Sequence, residues 1–169
     1  FATVTVQLTG ASSEVVTVNY ATSNSTAIAG DDYTATNGKL SWAAKATGAK
    51  TFTIAIKADD IDEPDETLLV VLSGSENAAI SDSEATITIS DNNNAPKITI
   101  GDVTLTEGDS KITVPVTMVG KTSGEAWVEY STSNGSGKNA ATADFPDPDF
   151  DATIGRLTWE AGTEGTQTI

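Results

Sequence analysis

Apolar and polar residues alternate along most of this chain. "TVTVQL" (3–8), "VVTVNY" (15–20), "TFTIAI" (51–56), "TLLVVL" (67–72) and "ATITI" (85–89) all suit strands, most of them with period two. "ITI" (98–100), "ITVPVTM" (112–118) and "AWVEY" (126–130) continue the series. Successive side chains of a strand point to opposite faces, so this period predicts strands with one buried face. Clusters of Gly, Asn, Ser and Asp separate the runs and mark turns. No segment carries a helical period. Many short strands at this spacing predict an all-β protein built as an antiparallel sandwich or barrel.

The pattern occurs twice. "VNYATSN" (18–24) returns as "VEYSTSN" (128–134), and "DDYTATNGKLSWAA" (31–44) returns as "PDFDATIGRLTWEA" (148–161). "TFTI" (51–54) is expected to pair with "TQTI" (166–169). A repeat of this length predicts two homologous β domains, over 1–93 and 94–169, joined near "DNNNAP" (91–96). The copies are cut differently. The second opens with a strand and a turn at Glu107-Gly108-Asp109 that the first lacks. The first runs on through two strands that the second lacks. The expectation is therefore a piece of a longer protein, with its flanking strands supplied by the residues on either side.

Charge sharpens the picture. Acids outnumber bases 24 to 9, and "ADDIDEPDE" (58–66) holds six carboxylates and no base. Antiparallel connections place this loop at one end of the first sandwich. Counting strand directions brings the segment of Asp31 and Asp32, the exit of the last strand at Asp91-Asn92-Asn93, and in the second copy Glu107, to that same end. A solvated acidic turn has no reason to gather four such segments. Ca²⁺ does, because it takes six to eight oxygens from carboxylates, carbonyls and amides. There is no Cys and no His, which removes thiolate and imidazole metal sites and the commonest general base. The acidic balance argues against nucleic acid and anionic membrane partners. No stretch approaches 18 apolar residues.

"VNYATSNSTAIAGDDY", "GKLSW", "DDIDEPDE" and "TISDNN" together resemble the Calx-beta domain, over about 1–93, with a looser match over about 98–169. The resemblance implies tandem immunoglobulin-like antiparallel β-sandwiches. It also implies Ca²⁺ ligands at Asp32, Asp59, Asp60, Glu63, Glu66 and Asp91, with an amide oxygen of Asn93 as a further donor. In the second copy Glu107 and Asp149 match, with Asp147 as a helper. This chain departs from the pattern at Ala58, where an acid is common, and at Asn92-Asn93, where Asp is common. Both changes remove charge and imply weaker or fewer sites.

The expected function is a Ca²⁺-binding extracellular module of a larger surface or secreted protein, its cation stiffening the joint between domains for adhesion or spacing. Scarce Lys, abundant Thr and no Cys suit a bacterial extracellular protein. Expected partners are Ca²⁺, neighbouring domains of the same chain, and other surface proteins or glycans. The alternatives are a structural repeat without useful Ca²⁺ affinity, a cadherin-like adhesion repeat, and a regulatory Ca²⁺ sensor of a transporter. Catalysis is not expected: paired carboxylates serve glycosidases, but no His or nucleophile motif accompanies them here. Trp42, Trp159, Tyr20 and Tyr130 recur within strand patterns and are expected in the core.

Overall fold

The computed structural model describes residues 1–106, 111–135, 141 and 150–169. The strands are β1 (Ala2–Leu8), β2 (Val16–Asn24), β3 (Asn37–Trp42), β4 (Gly48–Ile54), β5 (Ile61–Asp62), β6 (Glu66–Glu76), β7 (Glu84–Ile89), β8 (Lys97–Ile100), β9 (Pro115–Val119), β10 (Lys121–Thr122), β11 (Ala126–Ser131), β12 (Ile154–Trp159) and β13 (Gly165–Thr168). The described residues hold no helix, so the fold is all-β, as the alternation predicts. None is therefore long and apolar enough to cross a membrane. Contacts divide the chain into two units: Phe1–Asp59 with Pro64–Asn92, and Asp60–Glu63 with Asn93–Ile169.

In the first unit, β1 pairs antiparallel with β4, and β3-β2-β6-β7 form a second antiparallel sheet in that order. Period-two patterning buries one face of each. Val4, Phe52, Ile54, Leu68 and Val70 meet Ala27 and Tyr33 in one cluster, while Val16, Val18 and Trp42 form another. Ile54 and Leu68 have no exposed surface, and full burial of such a side chain contributes roughly 1.5–3 kcal/mol.

In the second unit, β13-β9-β8 form one antiparallel sheet and β11 pairs with β12. Its core is Val116, Met118, Leu157 and Trp159. Within this unit β5 also runs parallel to β10, pairing Ile61 with Lys121 and Asp62 with Thr122. Two-residue strands carry no period, so no pattern of residues marks this strip.

Two devices recur in both units. The indole N–H of Trp42 donates to the Gly48 carbonyl, and that of Trp159 to the Gly165 carbonyl, each at 3.0 Å. A Tyr ring also lies over a cross-strand glycine. Tyr20 stacks on Phe52, centroids 3.8 Å apart, and its hydroxyl would stand 2.5 Å from a Cβ added at Gly38. Tyr130 covers Gly155 in the same way, at 2.4 Å. The Trp bonds set Gly48 equivalent to Gly165. Val114 and Ile169 exchange backbone hydrogen bonds, so Ile169 takes the place of Phe52, which opposes Val4. The expected match of "TFTI" to "TQTI" is thus corrected by two positions. The strand expected over 51–56 also ends earlier, at Ile54. Beyond it, Thr34 N–H donates to the Ala55 carbonyl and Ile56 bridges Tyr33.

Gly38→Ala should destabilise the protein by about 1–3 kcal/mol, because the new methyl must displace a stacked ring. Gly124→Ala, which meets open space, should stay within about 0.5 kcal/mol. Denaturant unfolding of both variants checks this; equal midpoints would contradict the packing.

A second prediction concerns the strip. Lys121 Nζ lies 2.7 Å from Asp60 Oδ2. That hydrogen bond, reinforced by charge, holds the Asp60 carboxyl below its ordinary 3.8 and raises Lys121 above 10.5. A depressed carboxyl contributes stability above its unfolded pKa and loses it as pH falls through the folded one. A raised ammonium contributes below its unfolded pKa and loses it as pH rises through the folded one. The pair is therefore intact from about pH 4 to about pH 10. Lys121→Met should move the Asp60 carboxyl upward in an NMR titration; an unchanged value would dissolve the pair.

Candidate metal centre

Antiparallel register decides which segments share an end of the first unit. Ala2 pairs with Ile54, Asn24 with Leu68, Ala21 with Asn37, and Glu66 with Ile89. The start of β1, the end of β2, the start of β3, the end of β4, the start of β6 and the end of β7 therefore lie together. The loops carrying Asp32, Asp59 and Asp91 all open at this end. Asp82 lies in the β6–β7 connection, at the other end, since Val71 pairs with Glu84.

The loop of Asp32 is held by its own backbone and by Tyr33. Asp32 N–H donates to the Ile28 carbonyl at 3.0 Å, while Asp32 Oδ2 accepts from Ile28 N–H at 2.6 Å. Gly30 sits at φ 107°, a conformation that favours glycine. Tyr33 is 1% exposed, and its hydroxyl donates to Asn24 Oδ1 at 2.6 Å. Asn24 Oδ1 also accepts from Ala29 N–H at 2.9 Å. Asp32 thus follows a loop pinned at both sides. Its carbonyl accepts from Lys57 N–H at 2.8 Å, and the Lys57 ammonium donates to the Gly30 carbonyl.

Glu66 opens β6, where the same loop is tied in. Thr67 N–H donates to Thr26 Oγ1 at 2.7 Å, and Ala27 N–H donates to the Thr67 carbonyl at 2.9 Å. Glu63 precedes Pro64, whose ring restricts the backbone entering β6. The outcome is a group of three half-buried carboxylates. One oxygen from each of Asp32, Glu63 and Glu66 lies within 4.8 Å of the others.

That spacing has chemical content. Two oxygens that both contact an ion at about 2.4 Å can stand at most about 4.8 Å apart. All three donors are hard carboxylate oxygens, which suit Ca²⁺ or Mg²⁺ and not softer metals. Two unit negative charges about 4 Å apart repel by about 1 kcal/mol in water and about 4 kcal/mol at an effective dielectric of 20. A divalent cation reverses the sign of that interaction. The donor set fits a hard divalent ion, with backbone carbonyls and water needed to complete the shell.

The other expected ligands fall outside this trio. Asp59 is exposed in the same loop. Asp60 is held by Lys121, so an ion would have to compete with an ammonium for it. Asp91 is half-buried, and its N–H donates to Asp65 Oδ1 at 3.1 Å. Asn93 donates its amide N–H to the Ile61 carbonyl at 2.7 Å. Glu107, Asp147 and Asp149 lie outside the described residues.

Two residues matter that sequence reasoning left unassigned. Asp65 accepts from both Ser90 Oγ and Asp91 N–H, fixing the end of β7 to the acidic loop. Asn24 shapes the Asp32 loop; its recurrence as Asn134 was the available signal.

Comparison with known proteins bears on this end of the fold. The Calx-beta domain model matches twice, over residues 1–93 and 91–168. The structure is similar to the apo form of the Calx CBD1 domain, at 29% identity and TM-score 0.51, covering 54% of this chain and 82% of that one. It is also similar to the calcium binding domain CBD12 of CALX1.1, at 26% identity and TM-score 0.52, covering 99% of this chain and 66% of that one. CBD12 from CALX1.2 shares the fold, at 23% identity and TM-score 0.52. This chain thus spans just under two thirds of the length of the CBD12 structures. No curated protein matches it. Matched by one model on both sides of its repeat, the chain belongs to the Calx-beta domain family, as two such domains in tandem.

Proposed function

We propose that this chain is a Ca²⁺-binding module, with its ion held first by Asp32, Glu63 and Glu66. The observation that carries the reading is the spacing of those three carboxylates, within 4.8 Å of one another. The CALX1.1 neighbour, described as a calcium binding domain, supports the choice of Ca²⁺. Asp59, Asp60, Asp91 and an oxygen of Asn93 stand near enough in sequence and topology to serve as further donors. Asp60 would join only by leaving Lys121. In the second domain Glu107 and Asp149 are the corresponding proposal.

When bound, the ion would supply positive charge that offsets the repulsion of the carboxylates whose oxygens coordinate it. The protein's residues do the rest: the Tyr33–Asn24 bond presents Asp32, and the Thr26–Thr67 bonds set Glu66 beside it. The Asp65 bonds keep the exit of β7 next to the acidic loop. An ion there stiffens the segment leading from the first domain to the second. We extend the proposal to spacing or adhesion in an extracellular surface or secreted protein, on the strength of composition alone. A regulatory role, of the kind a calcium-sensing domain plays within a transporter, is the second reading, favoured by the likeness to the Calx domains. No catalytic role is proposed.

Ca²⁺ should raise the melting temperature relative to EDTA. Binding to the folded state alone adds RT ln(1 + [L]/Kd), about 2.7 kcal/mol at a hundredfold excess over Kd. Identical melting curves at 5 mM Ca²⁺ and in EDTA would refute the proposal. Among variants, Glu63→Gln should weaken Ca²⁺ binding about tenfold or more in calorimetry, whereas Asp82→Asn, at the far end, should leave it unchanged. Equal losses in the two would remove the site from this end of the sandwich.

A further inference from the structure

Lys57 is the only base between residues 51 and 96, a stretch that carries ten acids. A lone ammonium among so many carboxylates is expected to pair with one of them. It does not. Among the described residues Lys57 forms no ion pair, and its ammonium donates instead to the Gly30 carbonyl.

That carbonyl belongs to the turn that presents Asp32. Gly30 N–H donates to the Tyr33 carbonyl at 2.9 Å, and Asp31 N–H and Asp32 N–H both reach the Ile28 carbonyl, at 3.2 and 3.0 Å. Asp32 Oδ2 folds back onto Ile28 N–H at 2.6 Å. Gly30 and Asp32 thus share one tight turn, their Cα atoms at most about 7.6 Å apart. At 0.1 M salt the Debye length is about 10 Å, so the charge of Lys57 acts on the carboxylate of Asp32 with little screening.

Given the Ca²⁺ site at Asp32, Glu63 and Glu66, on which the inference rests, we propose that Lys57 sets its affinity, as a tethered positive charge that keeps Ca²⁺ binding weaker than the carboxylates alone would make it. An ammonium on a ligand carboxylate would compete for that oxygen. Held on a neighbouring carbonyl, it leaves Asp32 in place and acts through its field. It stabilises the negative cluster before the ion arrives and repels the divalent ion once there. Both effects lower affinity. The side chain also clasps the turn, and losing that clasp acts the other way. The clasp is the smaller effect, because the turn has other fastenings. Lys57 N–H still donates to the Asp32 carbonyl, and Tyr33 still bonds Asn24, whatever side chain stands at 57. The consequence is a site that fills at a higher Ca²⁺ concentration.

The test is calorimetric titration of the whole chain with Ca²⁺, at 10 mM and at 1 M KCl. Lys57→Met should bind about three- to tenfold more tightly than the parent at 10 mM, where screening is weak, and within about twofold of it at 1 M. Lys57→Arg keeps the charge and should match the parent at both. Should the Met variant melt early, Lys57→Gln, which is neutral but polar, takes its place with the same expected gain. Equal or weaker binding by the neutral variant at 10 mM would overturn the proposal. So would a gain that persists undiminished at 1 M, which would mark a change in the shape of the turn and not in its charge. A parent that binds no Ca²⁺ at either salt would remove the Ca²⁺ site itself, and the role of Lys57 with it. A parent that binds, with no gain in the neutral variant, would remove only the role of Lys57.

Discussion

Antiparallel register is the constraint on which this molecule depends. Pairing Ala2 with Ile54 and Asn24 with Leu68 fixes which loops share an end of the first unit. A slip of one residue would turn every inward side chain outward. Ile54 and Leu68, both without exposed surface, make such a slip costly. The core thus positions the carboxylates, although none of them lies in it.

Once the ends are fixed, the acids are held together against their own repulsion by neutral hydrogen bonds. Tyr33 is the clearest instance: a buried ring anchors a loop whose next outward residue is a carboxylate. The Thr-rich contacts at the start of β6 act likewise. Lys57 places positive charge on the Gly30 carbonyl, and within the second unit Lys121 pairs with Asp60. Acids gathered by the fold and only partly compensated by lysine leave a natural place for a divalent ion.

Much of this was legible in the residues. Period two revealed the strands, because burial of one face imposes it, and the repeat revealed the tandem, because Trp42 and Trp159 sit in the same bond to a glycine carbonyl six residues on. Strand counting predicted the shared end, since antiparallel neighbours leave little choice. The sequence was silent where short-range geometry rules. The pairing of β5 with β10 spans two residues and has no pattern. The capture of Asp60 by Lys121 joins residues 61 apart, which no local spacing reveals. Asp65 looked like any other acid of its run, yet its carboxylate is taken up by Ser90 and Asp91. Among six neighbouring carboxylates, charge cannot say which face the ion and which face the backbone.

The central claim is that register brings Asp32, Glu63 and Glu66 to one ion. It is tested most directly by titrating the ¹⁵N-labelled chain with Ca²⁺ and mapping amide shifts. Saturable changes at 28–34, 59–67 and 89–93, with residues 76–84 unmoved, are the predicted result. Changes spread along the chain without saturation, or centred on 76–84, would contradict it.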